Sequence, residues 1–191
     1  MRHFAIAAGI LALAGSMATA QNSTWVSDPM HSEVDFTITH LAISNVHGRF
    51  GKVAATLVYD SADVTKSTVT AAIGVATVDT GEDARNNHLK TPDFFDIATF
   101  PTATFTSTSV AKSGTGLVVN GNLTLHGVTQ PVVLNVEGPT GPVQGMDKKQ
   151  HSGFSATTTI SRTAFGIGTK FPAAMVGDEV KLSIDLDVAK Q

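Results

Sequence analysis

Apolar and polar residues alternate with a period of two along much of this chain. The clearest run is the last, where Val180, Leu182, Ile184, Leu186 and Val188 alternate with Lys181, Ser183, Asp185 and Asp187. Val34, Phe36 and Ile38 alternate with Glu33, Asp35, Thr37 and Thr39. Leu117, Val119, Gly121, Leu123 and Leu125 form a third set, and Phe154, Ala156, Thr158 and Ile160 a weaker fourth. Successive side chains of a strand point to opposite faces, so each run predicts a strand with one dry and one wet face. Antiparallel strands over a single core show this pattern. Residues 69–78 differ, because both faces are apolar or small, and they predict a central strand covered on both sides. Residues 53–59, 102–110 and 131–136 complete a set of about eight strands. Turns are expected at Asp60-Ser61, Ser113-Gly114, His126-Gly127 and across residues 138–145, which carry Pro139 and Pro142.

Residues 79–101 break the rhythm. Arg85, His88 and Leu89 stand at helical spacing, and Thr91 followed by Pro92 has the form of a second helix start. A short helical insertion is therefore expected near residues 83–96. Many short strands, regular turns and one insertion indicate an all-β sandwich or closed barrel. Periodicity does not choose between the two. A closed barrel of about eight strands is just wide enough to hold one small ligand.

The first twenty residues read as an address. Arg2 and His3 precede an apolar run, and Ala18-Thr19-Ala20 has the small-x-small form of a cleavage site. Cleavage is expected before Gln21, placing residues 21–191 as one domain in the periplasm or outside the cell. The chain has no cysteine, so neither a lipid-modified cysteine anchor nor a disulfide is available to it. Its net charge of −3 gives no general attraction to nucleic acid or to an anionic membrane, and stable membrane insertion is not expected. Charged residues are only 15% of the chain, which suits strands and turns better than surface helices.

Chemistry-bearing motifs are sparse. His31, His40, His47, His88, His126 and His151 follow the leader, with no HxH or HxxxH pair among them. Zinc sites need converging ligands, often at close spacing, so no metal site is expected. A histidine-based metal- or haem-associated stress protein remains the alternative, and it requires those histidines to converge. No nucleophile elbow is present, and His31-Ser32 is sequence adjacency rather than catalytic geometry. Gly166-Ile167-Gly168 lacks the rest of a dinucleotide fingerprint and reads as a strand bend or a close backbone approach. Hence no catalytic residue and no cofactor are expected. The phenylalanines are spread along the chain, and a barrel has one interior, which is either packed solid or a ligand pocket.

An ordered set of segments resembles the YceI-like family of secreted, polyisoprenoid-binding bacterial proteins. It comprises Trp25 through Ser32, Val34 through Leu41, Val46-His47-Gly48-Arg49-Phe50, Val78-Asp79-Thr80-Gly81, and the insertion with Arg85, His88-Leu89 and Pro92-Asp93-Phe94-Phe95-Asp96. Pro101 through Ser107, Gly121 through Val132, Arg162, Phe165-Gly166 and Val176-Gly177-Asp178-Glu179-Val180 follow in order. The resemblance implies an extended eight-stranded antiparallel lipocalin-like barrel whose apolar pore holds a polyprenyl or quinone-like amphiphile. Phe36, Ile38, Phe105, Leu123, Leu125, Phe154 and Phe165 are the expected tail contacts. Arg85, His88 and Arg162 are the head-group candidates, since a cation or donor suits a phosphate, carboxylate or amide. A lipid emerging from one mouth would favour a homodimer that covers it. Asn86 departs from the Asp that often follows the insertion's Arg in this family, removing a carboxylate that Arg85 would pair with.

Overall fold

The computed structural model describes residues 22–191; the expected leader over residues 1–20 lies outside them. The strands are β1 (Asn22–Ser27), β2 (Glu33–His40), β3 (Ser44–Phe50), β4 (Val53–Asp60), β5 (Thr68–Gly74), β6 (Thr102–Ser113), β7 (Gly116–Leu125), β8 (Val128–Gln144), β9 (Gln150–Ser161) and β10 (Val176–Lys190). The helix α1 (Asp83–Leu89) stands between β5 and β6.

All neighbouring pairs are antiparallel, and ten strands fill eight positions in the wall. β1 and β2 both pair with β10, at Trp25–Lys190 through Ser27–Val188 and at Glu33–Asp185 through Ile38–Val180. They act as one strand broken at residues 28–32. β3 pairs with β2 and β4 pairs with β1, so these two form a second broken strand. The ring then runs through β5, β6, β7, β8 and β9 to β10, where pairing with β1 and β2 closes an eight-stranded barrel. Closure leaves free edges on β3 and on the first half of β8, among the described residues.

Three expectations change. Residues 69–78 are not one strand. β5 ends at Gly74, and residues 75–77 form a 3-10 turn that buries Val75 and leads to buried Val78. Their apolar density therefore reflects a strand plus a buried turn, and β5 is covered on one face only, with Thr70 exposed. Residues 138–145 are not the turn. β8 continues to Gln144, absorbing Pro139 and Pro142 at two register shifts, and the reversal comes after it, where Gly145 exchanges bonds with Lys148 and Lys149. Bulges admit residues that cannot donate to the ladder. The second helix at Thr91 is a turn instead: the Thr91 carbonyl accepts from both Phe94 N and Asp96 N.

The core is the barrel interior. Val34, Phe36, Val53, Leu57, Phe105, Val119, Leu123, Ile160 and Val188 are all buried, and each was on the dry face of its run where a run was legible. Among the described residues, no buried side-chain nitrogen or oxygen lacks a hydrogen-bond partner.

Candidate functional site: a roofed apolar lumen

The loop into α1 is tied to the wall. Arg49 and Asp79 exchange two main-chain hydrogen bonds, and the Arg49 side chain lies 3.7 Å from Asp79 and 3.8 Å from Glu33. Asn86 is buried and locks the loop from inside: its Oδ1 accepts from Thr80 N and Thr80 Oγ1, and its Nδ2 donates to Asp79 Oδ1. An Asp here would lack that donor and would oppose Asp79. The Asp79 carboxyl is held below its usual range, first by the Gly81 N–H and next by Asn86. Arg85 donates from Nε to Thr80 Oγ1 and from Nη2 to the Thr80 carbonyl, both at 2.8 Å. The arginine thus pairs with a threonine, and forms no ion pair among the described residues.

α1 and the following turn cover one end of the barrel. Phe94 stacks on Phe171 at 5.0 Å, nearly parallel, and His88 stands edge-on to Phe94 at 5.1 Å. Phe95 meets Phe50, which meets Phe36, each at 5.5 Å. Asp93 accepts from His88 Nε2 at 3.1 Å and pairs with Lys170, bridging the turn to the loop before β10. Its carboxyl is held below the usual range, by Lys170 first and His88 second.

That loop is organised by Arg162, which is 3% exposed. Its Nε donates to the Gly177 carbonyl, Nη1 to those of Ile167 and Gly168, and Nη2 to those of Phe171 and Val176. A guanidinium has five N–H donors, and all are directed to main chain. Gly166-Ile167-Gly168 is a turn rather than a bent strand, with both glycines at positive φ, of 74° and 60°. A Cβ on Gly168 would stand 2.8 Å from Phe94, so the close-approach reading describes that position.

Beneath this roof lies a cavity of about 360 Å³. β2 supplies Phe36 and Ile38, β7 Leu123 and Leu125, β9 Ile160, and β10 Val180 and Leu182. Phe94, Phe95 and Phe171 close it from above, while Arg85, His88, Thr39 and His40 stand among its few polar lining residues. A smaller apolar void of about 80 Å³ lies among Leu57, Val69, Val119, Phe154 and Leu186. An open trough of about 800 Å³ lies where β8 and β9 part: their ladder stops at Asn135–Thr157. Threonines, serines and amides share the trough with Val132, Val133 and Phe165, Gln130 reaches to the Ala164 carbonyl, and the trough opens on the wall.

Of the expected tail contacts, Phe36, Ile38, Leu123 and Leu125 come together around the main cavity. Phe154 lines the small void, Phe165 packs beneath the trough, and Phe105 is buried without lining any of the three. Arg85 and His88 share the rim, and Arg162 lines the same cavity with its donors engaged. The roof residues Leu89, Phe94, Phe95 and Phe171 were not among the expected tail contacts. Leu89, Phe94 and Phe95 carried a signal as an apolar group within the insertion that breaks the strand rhythm, whereas Phe171 lies in the loop before β10, which no local pattern marks. Four of the six histidines sit apart, His31 on Asp28, His47 on Thr37, His126 on the Phe165 carbonyl and His151 between Asp187 and Asp147, while His88, held by Asp93, and His40 both line the cavity. No three His, Asp or Glu side chains among the described residues are grouped to hold a metal.

A closed eight-stranded barrel with a roofed apolar lumen is the setting in which the relatives are informative. Residues 25–188 match the model of the YceI-like domain. The chain belongs to the YceI-like family. A UPF0312 protein of Vibrio cholerae is 35% identical over 170 residues, covering 87% of this chain and 89% of its own. A UPF0312 protein of Shewanella baltica is 34% identical over 183 residues, with 95% of each chain covered. Among solved structures, BcnA of Burkholderia cenocepacia superposes with a TM-score of 0.73 at 28% identity, covering 84% of this YceI-like chain and 98% of BcnA. A polyisoprenoid binding domain from Saccharophagus degradans shares the fold at 18% identity, with a TM-score of 0.64 over 87% of this chain and 98% of its own.

Proposed function

We propose that this YceI-like domain is a carrier that holds one isoprenoid-type amphiphile, polyprenyl or quinone-like, with its tail in the lumen and its head at the rim. The observation that carries this reading is the lumen itself. A cavity of about 360 Å³ walled by aliphatic and aromatic side chains, with a few polar groups at one end, has the form of a site for an apolar chain bearing a polar head. Each methylene taken from water contributes about 0.8 kcal/mol, so such a chain binds well with few polar contacts. The Saccharophagus domain, described as polyisoprenoid binding, has the same architecture and supports the ligand class by analogy of fold.

Arg85 is the head-group residue in this reading. It uses two N–H donors on Thr80 and keeps others at the rim, whereas Arg162 has all five engaged and His88 is held by Asp93. Binding rather than catalysis is part of this reading, supported by the engagement of His88 and Arg162 in holding the roof. The leader expected over residues 1–20 supports a setting in the periplasm or outside the cell.

Native mass spectrometry of protein purified without detergent, followed by organic extraction, tests the reading. A bound species of several hundred daltons, with homologues spaced by one isoprene unit, is the expected result. Apo protein alone, persisting after incubation with prenyl lipids and quinones, would overturn it.

A further inference from the structure

The two apolar voids lie in line inside the barrel, and the order of residues along the wall shows what separates them. On β5, Ile73 lines the main cavity and Val69 the smaller void, with Ala71 between. On β7, Leu123 lines the first and Val119 the second, with Gly121 between. On β6, Ala103 lines the first and Val110 the second, and between them stands Phe105, 7% exposed and lining neither.

The dividing layer is built mostly of small residues. Phe105 pairs across the ladder with Ala71, and Ala71 with Ala55. A Cβ on Gly121 would stand 2.3 Å from Phe105 Cζ, so the ring extends across β7 and the glycine makes room for it. Across the ladder the ring's level runs Ala55, Ala71, Phe105 and Leu123, and the ring leans from there over Gly121. On β5, β6 and β7 it is the one large side chain that stands between the two sets of lining residues.

We propose that Phe105 is a septum that sets how much of an apolar chain the barrel accepts, so that the domain prefers short-chain prenyl amphiphiles. This rests on the carrier reading and adds a chain-length class to it. At about 30 Å³ per water-sized group, the 360 Å³ main cavity takes about a dozen non-hydrogen atoms, or two to three isoprene units. Within that depth, each buried methylene raises affinity about fourfold. Beyond it, the surplus chain stays outside and affinity levels off.

The test is a series of prenyl alcohols of two to six isoprene units, delivered from cyclodextrin and titrated against wild type, Phe105→Ala and Phe105→Leu. Wild-type affinity is expected to climb to about three units and then plateau. In Phe105→Ala the climb should continue by at least one unit, with the four-unit alcohol gaining tenfold or more over the three-unit one. Phe105→Leu, which retains more of the packing, should move the plateau in the same direction and serves if the alanine variant does not fold. Adding Val119→Phe to either variant fills the smaller void and should restore the early plateau. Identical plateaus in wild type and variants would overturn the septum and leave the carrier reading standing. Failure of wild type to bind any member of the series would overturn both.

Discussion

Arg162 shows how a single side chain can shape a cavity while all its donors are committed to main chain. Its five donors hold the carbonyls of Ile167, Gly168, Phe171, Val176 and Gly177, and so bring Phe171 over the lumen. Removing it would leave buried carbonyls and a cavity. Lysine offers three donors on a point charge and cannot span the same fan. Arg162→Lys is therefore expected to cost about 3 kcal/mol or more, as breaking a buried charged network does, read as a lowered urea midpoint. His151 carries the clearest pH dependence. Nδ1 donates to Asp187 at 2.6 Å and Nε2 to Asp147 at 3.1 Å, and these two bonds, Asp187 first, raise its pKa above the usual 6.5. Folding then takes up a proton. The stabilisation is fully present below about pH 6.5 and is lost as pH rises through the higher folded value. The Tm difference between wild type and His151→Gln should be larger at pH 5.5 than at pH 8.5, and a pH-independent difference would count against the paired imidazolium.

At the scale of elements, glycines and aromatics are matched across the sheet. Gly48 on β3 lies opposite Phe36 on β2, and a Cβ there would meet the Phe36 ring at 2.4 Å. Gly48→Ala must push that ring into the lumen. Overpacking of this kind costs about 1–3 kcal/mol, and the displaced ring should also weaken lipid binding. A stability loss with unchanged affinity would show that the ring escapes elsewhere. α1 is too short to persist alone, and its position follows from Asn86, the Arg49–Asp79 exchange and the Asp93–Lys170 pair. The parting of β8 from β9 is a second departure from ideal pairing, leaving residues 128–134 without a partner on that side.

At the scale of the whole barrel, closure encloses a dry interior space of about 360 Å³. If that space takes a lipid in the folded state alone, the ligand stabilises the fold by mass action. A prenyl lipid at a hundred times its Kd should add about 2.7 kcal/mol, seen as a concentration-dependent rise in Tm. An aliphatic alcohol too short to reach past the roof should give a much smaller shift.

Eight of the ten strands, and the facing of those that alternate, were legible in the sequence, because a period of two carries them locally: Val34, Phe36, Leu123, Ile160 and Val180 face inward as their alternation requires, whereas β1 and β3 were reached only through the family resemblance. The insertion was legible as a break in that period. Family membership was also legible, since its segments occur in order along the chain. Closure into eight positions was decided by tertiary structure, because β1 and β2 share one edge of β10 through register, a long-range property. Which inward residues line the lumen was decided there too. Leu123 and Phe105 alternate identically on paired strands, yet one borders the cavity and the other divides it, because Gly121 and Ala71 leave the ring its space. Arg162 looked like a head-group cation by residue type. Only the fold brings five carbonyls around it, since these come from a loop whose course no local pattern encodes.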